Sequence, residues 1–416
     1  MGSEWIETTI GDFCPFTYGK GLPESKRDLS GNIAVYGSNG IVGKHDVPFV
    51  DSAGIIIGRK GTVGAVHYSG KPFWPIDTTY FVSDEPGKRD LLFTYYLLKG
   101  LGLEQMNSDS AVPGLNRDAA HMKNICVPPL PEQHAIAHIL GSLDDKIELN
   151  KKMNETLEAM ARAIFKSWFV DFLPVRAKAE GRDPCLPKEI ADLFPDSFEN
   201  SELGKIPVGW KIVEIGSVSN ILNGFAFKSK DYCDSEGIRV LRTKNFDDSG
   251  YATKREDDVF LPKNFMKTHS QYICEPFDFH IVMVGASVGK SSLLLPNMLP
   301  ALRNQNMWCF RPKKNIVSKF FLNFSVQRKV VEVMSWADGS ARSFFRKSDF
   351  HKHLILLPHE DILKRFEKIA HDHFNLVAKN LIENESLSTI RDTLLPKLIS
   401  GELQVPDAEK FVEGIV

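Results

Sequence analysis

The sequence predicts an α/β (α+β) chain built as two halves, each a globular body followed by one long helix, with the two helices paired as an antiparallel coiled coil. Three observations carry this. A helix-forming stretch after Pro128 recurs after Pro358, shifted by 230 residues. Both copies place their apolar residues at the spacing of a coiled-coil seam. The segments ahead of the two copies share strand frames but differ in their loops. A fixed internal shift of this kind marks a repeated architecture, here a pseudo-twofold one.

The helices come first because they are the clearest. One begins P-P-L-P-E-Q-H-A-I-A-H-I-L at Pro128 and the other P-H-E-D-I-L-K-R-F-E-K-I at Pro358. At the 230-residue shift Asn154, Glu155, Thr156 and Leu157 fall on Asn384, Glu385, Ser386 and Leu387. Pro131 and Pro358 suit a first helical turn, where the missing N–H is not needed. The acids that follow (Glu132; Glu360 and Asp361) favour the positive end of a helix dipole. A 4-3-4-3 walk visits Ile136, Leu140, Leu143, Ile147, Asn150, Asn154, Leu157, Ala161, Ile164 and Trp168. In the second copy it visits Phe366, Ala370, His373, Val377, Asn380, Asn384, Leu387, Arg391, Leu394 and Leu398. Polar seam residues lower stability but fix register and orientation. Asn150, Asn154 and Leu157 with Asn380, Asn384 and Leu387 are therefore the seam positions expected to pair the helices. At 1.5 Å per residue each helix is about 55–60 Å long, a ruler more than a core element.

A chain of 416 residues is too long for one ordinary core. Its 43% hydrophobic and 25% charged content fits a soluble globular protein. No apolar run reaches the ~20 residues that span a bilayer, and M-G-S-E-W lacks a basic-then-apolar leader, so a cytoplasmic protein with no membrane partner is expected. The six cysteines lie far apart with no C-x-x-C pair, which favours scattered thiols over disulfides or zinc. Charge is uneven along the chain. Residues 207–357 carry 22 basic against 14 acidic groups, while residues 1–130 carry 12 against 14. A basic body is the electrostatic footprint of a polyanion partner, though a weak one by itself.

In chain order, the first body spans residues 1–127, with short β-branched or aromatic runs at 33–36, 54–57, 63–67 and 78–82 and a helix at 89–101. A strand at 123–127 leads into the first long helix, 128–170. Residues 171–206 are polar, with six prolines or glycines, and predict a loosely packed linker. The second body, 207–357, repeats the first plan. W-K-I-V-E-I-G at Trp210 matches W-I-E-T-T-I-G at Trp5, and I-V-M-V-G-A-S-V-G ending at Gly289 matches I-I-I-G-R-K-G-T-V-G ending at Gly64. S-A-R-S-F at Ser340 matches S-A-V-P-G at Ser110. The second long helix takes 358–403 and a tail 404–416.

These motifs resemble the specificity subunit of type I restriction–modification enzymes. The matching residues are V-P-P-L-P-E-Q at Val127, N-E-T-L-E-A-M at Asn154 and F-K-S-W-F-V-D-F at Phe165. D-S-F-E-N-S-E-L-G-K-I-P-V-G-W ending at Trp210 and L-L-P-K-L-I-S-G-E-L ending at Leu403 match as well. The likeness covers essentially the full chain. The departure is the second helix start, L-L-P-H-E-D, which is less regular than P-P-L-P-E-Q. The resemblance implies two target-recognition domains, each reading one half of a split site on double-stranded DNA. It implies a helix pair that sets the spacing and docks two modification (methyltransferase) subunits, with restriction/translocase subunits in the full complex. S-adenosylmethionine, ATP and Mg are then expected in the partner subunits and no cofactor in this chain.

The residues themselves offer no catalytic centre. G-A-S-V-G-K-S-S at Gly285 has three residues between its glycines where a phosphate loop has four, and it runs into L-L-L-P at Leu293, which reads as a strand. Gly289 then makes a tight turn, as Gly64 does. His134 and His138 are four apart on a helix but lack H-E-x-x-H or a nearby Cys, so a solvent-facing pair is expected and no metal. His351/His353 and His371/His373 read as surface or strand residues. No N-P-P-[YF] or D-P-P-[YF] methylation tetrapeptide is present.

Reading a duplex takes phosphate contacts for position and base-edge contacts for sequence, with Arg suited to guanine and Asn or Gln to adenine. In the second body the candidates are Lys228, Lys230, Arg242, Lys244, Arg303, Asn304, Gln305, Arg342, Arg346 and Lys347. R-N-Q-N at Arg303 sets one Arg beside three amides, or forms a polar turn before a strand at 307–310. In the first body they are Lys20, Lys26, Arg27, Arg59 and Lys60, then Ser38 and Asn39. Only the set carries weight, and the acidic first body predicts weak DNA binding by this chain alone. Four residues inserted within 151–158 should lengthen the spacer of the recognised site. The alternative is a non-catalytic scaffold or anti-restriction relative that keeps the helices but reads no DNA.

Overall fold

The structure, a computed structural model, describes residues 5–28, 30–106, 114–234, 237–313, 316–336 and 346–413. Two compact units divide the chain: Met1–Asn150 with Glu383–Val416, and Lys151–Ile382. Each unit therefore holds one globular body and half of each long helix.

The two bodies have the same topology. In the first, Thr17–Tyr18, Thr79–Ser83, Gly54–Gly58 and Val66–Ser69 form a four-stranded antiparallel sheet in that order. Gly40–His45, Ile33–Gly37 and Phe73–Pro75 form a three-stranded sheet whose last pair is parallel. Ile6–Thr9 pairs Asn124–Val127 just before the first long helix. In the second, Ser219–Asn223, Met307–Pro312, Phe279–Val282 and Ser291–Leu293 repeat the four-stranded order. Phe260–Leu261, Ile238–Leu241 and Ala301–Arg303 repeat the mixed sheet, again with one parallel pair, and Lys211–Glu214 pairs Leu354–Leu357. Strands such as Gly54–Gly58 and Phe279–Val282 are buried throughout, which is why they read as continuous apolar runs. The expected strand at 63–67 starts later, at Val66, because Gly61 and Gly64 take positive φ in the preceding turn. The expected strand through Leu293 stops there; Leu295 then leads into a short 3-10 turn, Pro296–Met298.

The long helices run Leu130–Phe169 and Glu360–Ile399. The P-E-Q-H stretch locks the first onto its body. The Trp5 indole donates to Glu132 (3.3 Å), the buried Gln133 amide accepts from the Asp90 N–H (2.9 Å), and His134 meets the Asp90 carboxylate (2.7 Å). Asp90 also caps the Leu91–Gly100 helix by accepting from the Phe93 N–H. In the second unit Glu367 of the long helix accepts from the Phe320 N–H in the first turn of the Lys319–Trp336 helix, and Tyr251 donates to Glu158 at 2.9 Å. An aromatic cluster of Phe165, Trp168, Phe169, Phe321 and Phe366 packs between these helices, with ring centroids 5.0–6.3 Å apart in the pairs in contact.

The stretch 171–206 corrects the expectation of a loose linker. It forms Leu173–Ala179, a turn of helix at Lys188–Ala191 and a hairpin, Phe198–Ser201 with Gly204–Pro207. Val175, Ile190 and Phe194 are buried in the core of the second unit, with Phe194 edge-on to Trp168 at 5.2 Å, and Ile206 is buried as well. Its apolar residues come in short groups broken by charges, prolines and glycines, with no long helical or alternating period, so the packed face was hidden. The tail likewise forms a helix, Val405–Val412, that buries Ala408 and Val412 in the first core.

Candidate nucleic-acid interface

The seam follows the walk read from the sequence. Ile136, Leu140, Leu143, Ile147, Ala161, Trp168, Phe366, Ala370, Val377, Leu387, Leu394 and Leu398 are buried, while Leu157, Ile164, His373 and Arg391 are partly so. In the first unit Asn150 donates to Asn384 (2.9 Å) and to Glu383 (2.8 Å), and Arg391 pairs with Asp144 (2.5 Å), which also accepts from Tyr96 (2.7 Å). In the second, Asn380 donates to Asn154 (2.8 Å). In both, residue numbers rise along one helix as they fall along the other, so the pairing is antiparallel. The two donors, Asn150 and Asn380, are equivalent positions of the repeat. All four amides are at most 8% exposed, so a slipped register would strand them without partners.

In each body the candidate loops follow the ends of the parallel strand pair. In the first, Ile33–Gly37 runs into the Ser38–Asn39 turn and Phe73–Pro75 into residues 76–78. The Thr78 carbonyl accepts from Ser38 Oγ (2.7 Å) and from the N–H groups of Arg59 (2.9 Å) and Lys60 (3.1 Å). The Lys20 N–H donates to Pro75, and Gly19 lies so close that a Cβ there would sit 2.2 Å from the Ile76 carbonyl. This one turn gathers Lys20, Ser38, Asn39, Arg59 and Lys60. Arg27 joins its flank by donating to Val42 (3.0 Å), and Lys26 is exposed on the adjoining Glu24–Lys26 turn. Ser38 is itself buried.

Sequence reasoning missed the aromatics that hold these cations. Tyr18 is 46% exposed, and the guanidiniums of Arg59 and Arg117 each lie 5.0 Å from its ring. Lys20 sits 5.6 Å from Phe49 and 6.0 Å from Trp74. Cations held over ring faces keep their charge and outward donors available. The only sequence signal was aromatic and basic residues interleaved in separate loops.

The second body builds the same place differently. Ile238–Leu241 leads into residues 242–245 and Ala301–Arg303 into 304–306. The Asn304 N–H donates to Leu241 (3.0 Å), and Gly224 abuts the Asn304 carbonyl as Gly19 abuts Ile76. Asn304 and Gln305 stand at the tip, and Lys228 and Lys230 are exposed on the Ser229–Asp231 turn. Arg242 and Lys244 are shared with carboxylates: Arg242 lies 3.8 Å from Asp257 and 3.7 Å from Asp258, and Lys244 pairs with Asp257. The hydrogen bond from Lys244 holds the Asp257 carboxyl below the usual range.

Arg303 is a correction. It is 0% exposed and donates to the carbonyls of Ile273 (2.9 Å) and Gln271 (2.7 Å). It is the last residue of its strand, on the inward side of the pleat, and cannot reach a base edge. Arg346 and Lys347 lie apart from the loops, at the start of a Lys347–Lys352 helix packed on Ile215–Val218. Arg342 lies outside the described residues, as do Ser110 and Ser340.

Two decoys resolve. Gly285 and Gly289 have φ of +93° and +84° in the turn between Phe279–Val282 and Ser291–Leu293, with no helix after it. This turn is the counterpart of the one that carries Arg59 and Lys60. Asp278, His280 and Cys309 place one potential metal-ligand atom each within 4.8 Å of one another, all buried. Arg311 already binds both oxygens of Asp278 (2.6–3.2 Å), and burial pushes the Cys309 thiol well up, so the donors are poorly set for a cation. His134 and His138 are exposed.

Two bodies of one topology, each with a polar loop cluster at the same place, define an internally duplicated protein. Residues 2–159 and 207–390 match the family described as type I restriction modification DNA specificity domain, and the chain belongs to it. It is 27% identical over 334 residues to the type I restriction enzyme HindI specificity subunit of Haemophilus influenzae, covering 70% of this chain and 71% of that one. It is 25% identical over 323 residues to the MjaIX specificity subunit of Methanocaldococcus jannaschii, covering 76% and 69%. The crystal structure of the type I restriction–modification S subunit from M. genitalium has a similar fold, with a TM-score of 0.65 at 17% identity over 95% of this chain and 96% of that one.

Proposed function

We propose that this chain is the DNA sequence-specificity subunit of a type I restriction–modification complex. Each body reads one half of a split site through the loops at the ends of its parallel strands. The single observation that supports this best is the pair of equivalent loop clusters, one built from Lys20, Asn39, Arg59 and Lys60 and the other from Lys228, Lys230, Asn304 and Gln305. A common frame with unlike loops suits two unlike half-sites. Phosphate contacts from the lysines would set position, and the Arg and amide groups would read base edges.

In this reading the helix pair sets the gap and docks two modification subunits, and restriction/translocase subunits join the full complex. Methyl transfer and strand cleavage, with S-adenosylmethionine, ATP and Mg, belong to those partners, and the chain itself is non-catalytic. It works in the cytoplasm; no helix among the described residues is long and apolar enough to cross a membrane. The test is co-expression with the neighbouring modification subunit and genome-wide mapping of methylated adenines. A split motif with a fixed gap is expected. A stable complex that yields no motif would overturn the reading.

A further inference from the structure

The second unit contains a cavity of about 590 Å³ that takes no part in the recognition loops. Phe165, Phe169, Phe172 and Phe321 line it, between the end of the first long helix, the Lys319–Trp336 helix and the hairpin of residues 198–207. Its volume lies in the range of ligand pockets, and its lining sets these rings beside Lys205, Ser325, Arg328 and Lys352.

The charge at the mouth is one-sided. Lys205, Arg328 and Lys352 are exposed there and have no carboxylate partner among the described residues. The one acid in the lining, Glu332, is already tied to Lys329 at 2.7 Å. Leu203 on its rim is an apolar side chain 52% exposed. A small molecule would need only the cavity. A duplex would need a basic ridge that meets phosphates, not a phenyl-lined hollow.

We propose that this cavity docks an acidic segment of a partner protein, which inserts one large apolar side chain among the phenylalanines and sets its carboxylates against Lys205, Arg328 and Lys352. Buried aromatic or aliphatic anchors ringed by complementary charge are the usual centre of such contacts. The proposal rests on the reading that the chain works inside a multisubunit complex.

The test applies the labelled full chain to an array of immobilised heptapeptides, each with a central Trp, Phe or Leu flanked by Asp and Glu. Lys-flanked and Ser-flanked copies serve as controls. Retention at least tenfold higher on the acidic set is expected. Arg328→Glu combined with Lys352→Glu should remove that preference, as should Leu203→Asp, which only adds a charge at an exposed rim position. Lys228→Glu, on a recognition loop, should leave it unchanged. No acidic preference, or a preference indifferent to the rim variants, would overturn the proposal. Binding of AMP in place of peptides would make it a small-anion site and equally overturn it. Loss of DNA binding in the rim variants without any peptide preference would assign the cations to nucleic acid. The methylation map is read separately, so a clear motif with no peptide preference sinks only this inference.

Discussion

Two guanidiniums lie 5.0 Å from one exposed tyrosine ring, with Asp118 at 3.5 Å from Arg117 and the Asp77 carbonyl accepting from Arg59, which leaves further outward N–H groups for a phosphate or a guanine edge. In the assembled complex, Arg59→Ala and Arg117→Ala should each weaken binding to the recognised site by roughly 5–150-fold, about 1–3 kcal/mol. Fluorescence anisotropy on labelled duplex checks this, and changes within twofold would remove Tyr18, Arg59 and Arg117 from the interface. Arg303 should behave differently. Arg303→Met strands the Gln271 carbonyl, while the Ile273 carbonyl keeps its bond from Arg311, so the second unit should lose on the order of 1–3 kcal/mol in denaturant unfolding while the motif stays the same. An altered motif would return Arg303 to the reading surface. That contrast was not legible in R-N-Q-N, because nothing in four polar letters says which one ends a strand and faces in. Nor could Tyr18, Arg59 and Arg117 be grouped beforehand, since a strand, a turn and a helix start far apart in the chain bring them together.

His280 adds a pH signature. Burial pushes its pKa down to about 3, with Asp278 opposing the shift and Arg303 and Arg311 adding to it. The folded state keeps the ring neutral while the unfolded chain takes a proton below its ordinary value. Its contribution to stability is therefore complete above about pH 6.5 and is lost as the pH falls toward 3. Roughly 3 kcal/mol should be gone by pH 4, and His280→Leu should flatten that part of the profile in thermal unfolding. An unchanged slope would contradict the assignment.

At the scale of elements, the helices were the most legible part of the chain. Their 3.5-residue period and the repeated Asn positions were visible in the letters, and the bonds Asn150–Asn384 and Asn380–Asn154 follow from them. The stretch 171–206 was the least legible, since Val175 and Phe194 sit in short apolar groups broken by charges and prolines, with no long period, yet reach the core. Four residues inserted within 151–158 alone would throw the seam out of phase with its partner between the Asn150–Asn384 and Asn154–Asn380 bonds. If the helix pair sets the gap between half-sites, both helices must therefore be lengthened together. Seven residues after Lys152 and seven after Ile382 keep the seam in phase and add about 10 Å of helix, close to three base pairs. The gap in the methylated motif should grow by about that number with both half-sites unchanged. An unchanged gap in a complex that still methylates would end the ruler account.

At the scale of the whole molecule, the chain says one thing twice: the strand order and the placement of one parallel pair recur, while the loops and the helix lengths differ. That duplication was legible as matching frames around Trp5 and Trp210 and around Gly64 and Gly289. The reading loops were legible only as sets of polar residues, because loop conformation is fixed by contacts distant in sequence. The account turns on the independence of the two bodies. The most direct measurement replaces residues 207–357 with the corresponding segment of another family member, co-expresses the chimera with the modification subunit and maps methylated adenines. The account predicts that one half of the motif changes while the other half and the gap stay as they were. A change in both halves, or in neither, would contradict it.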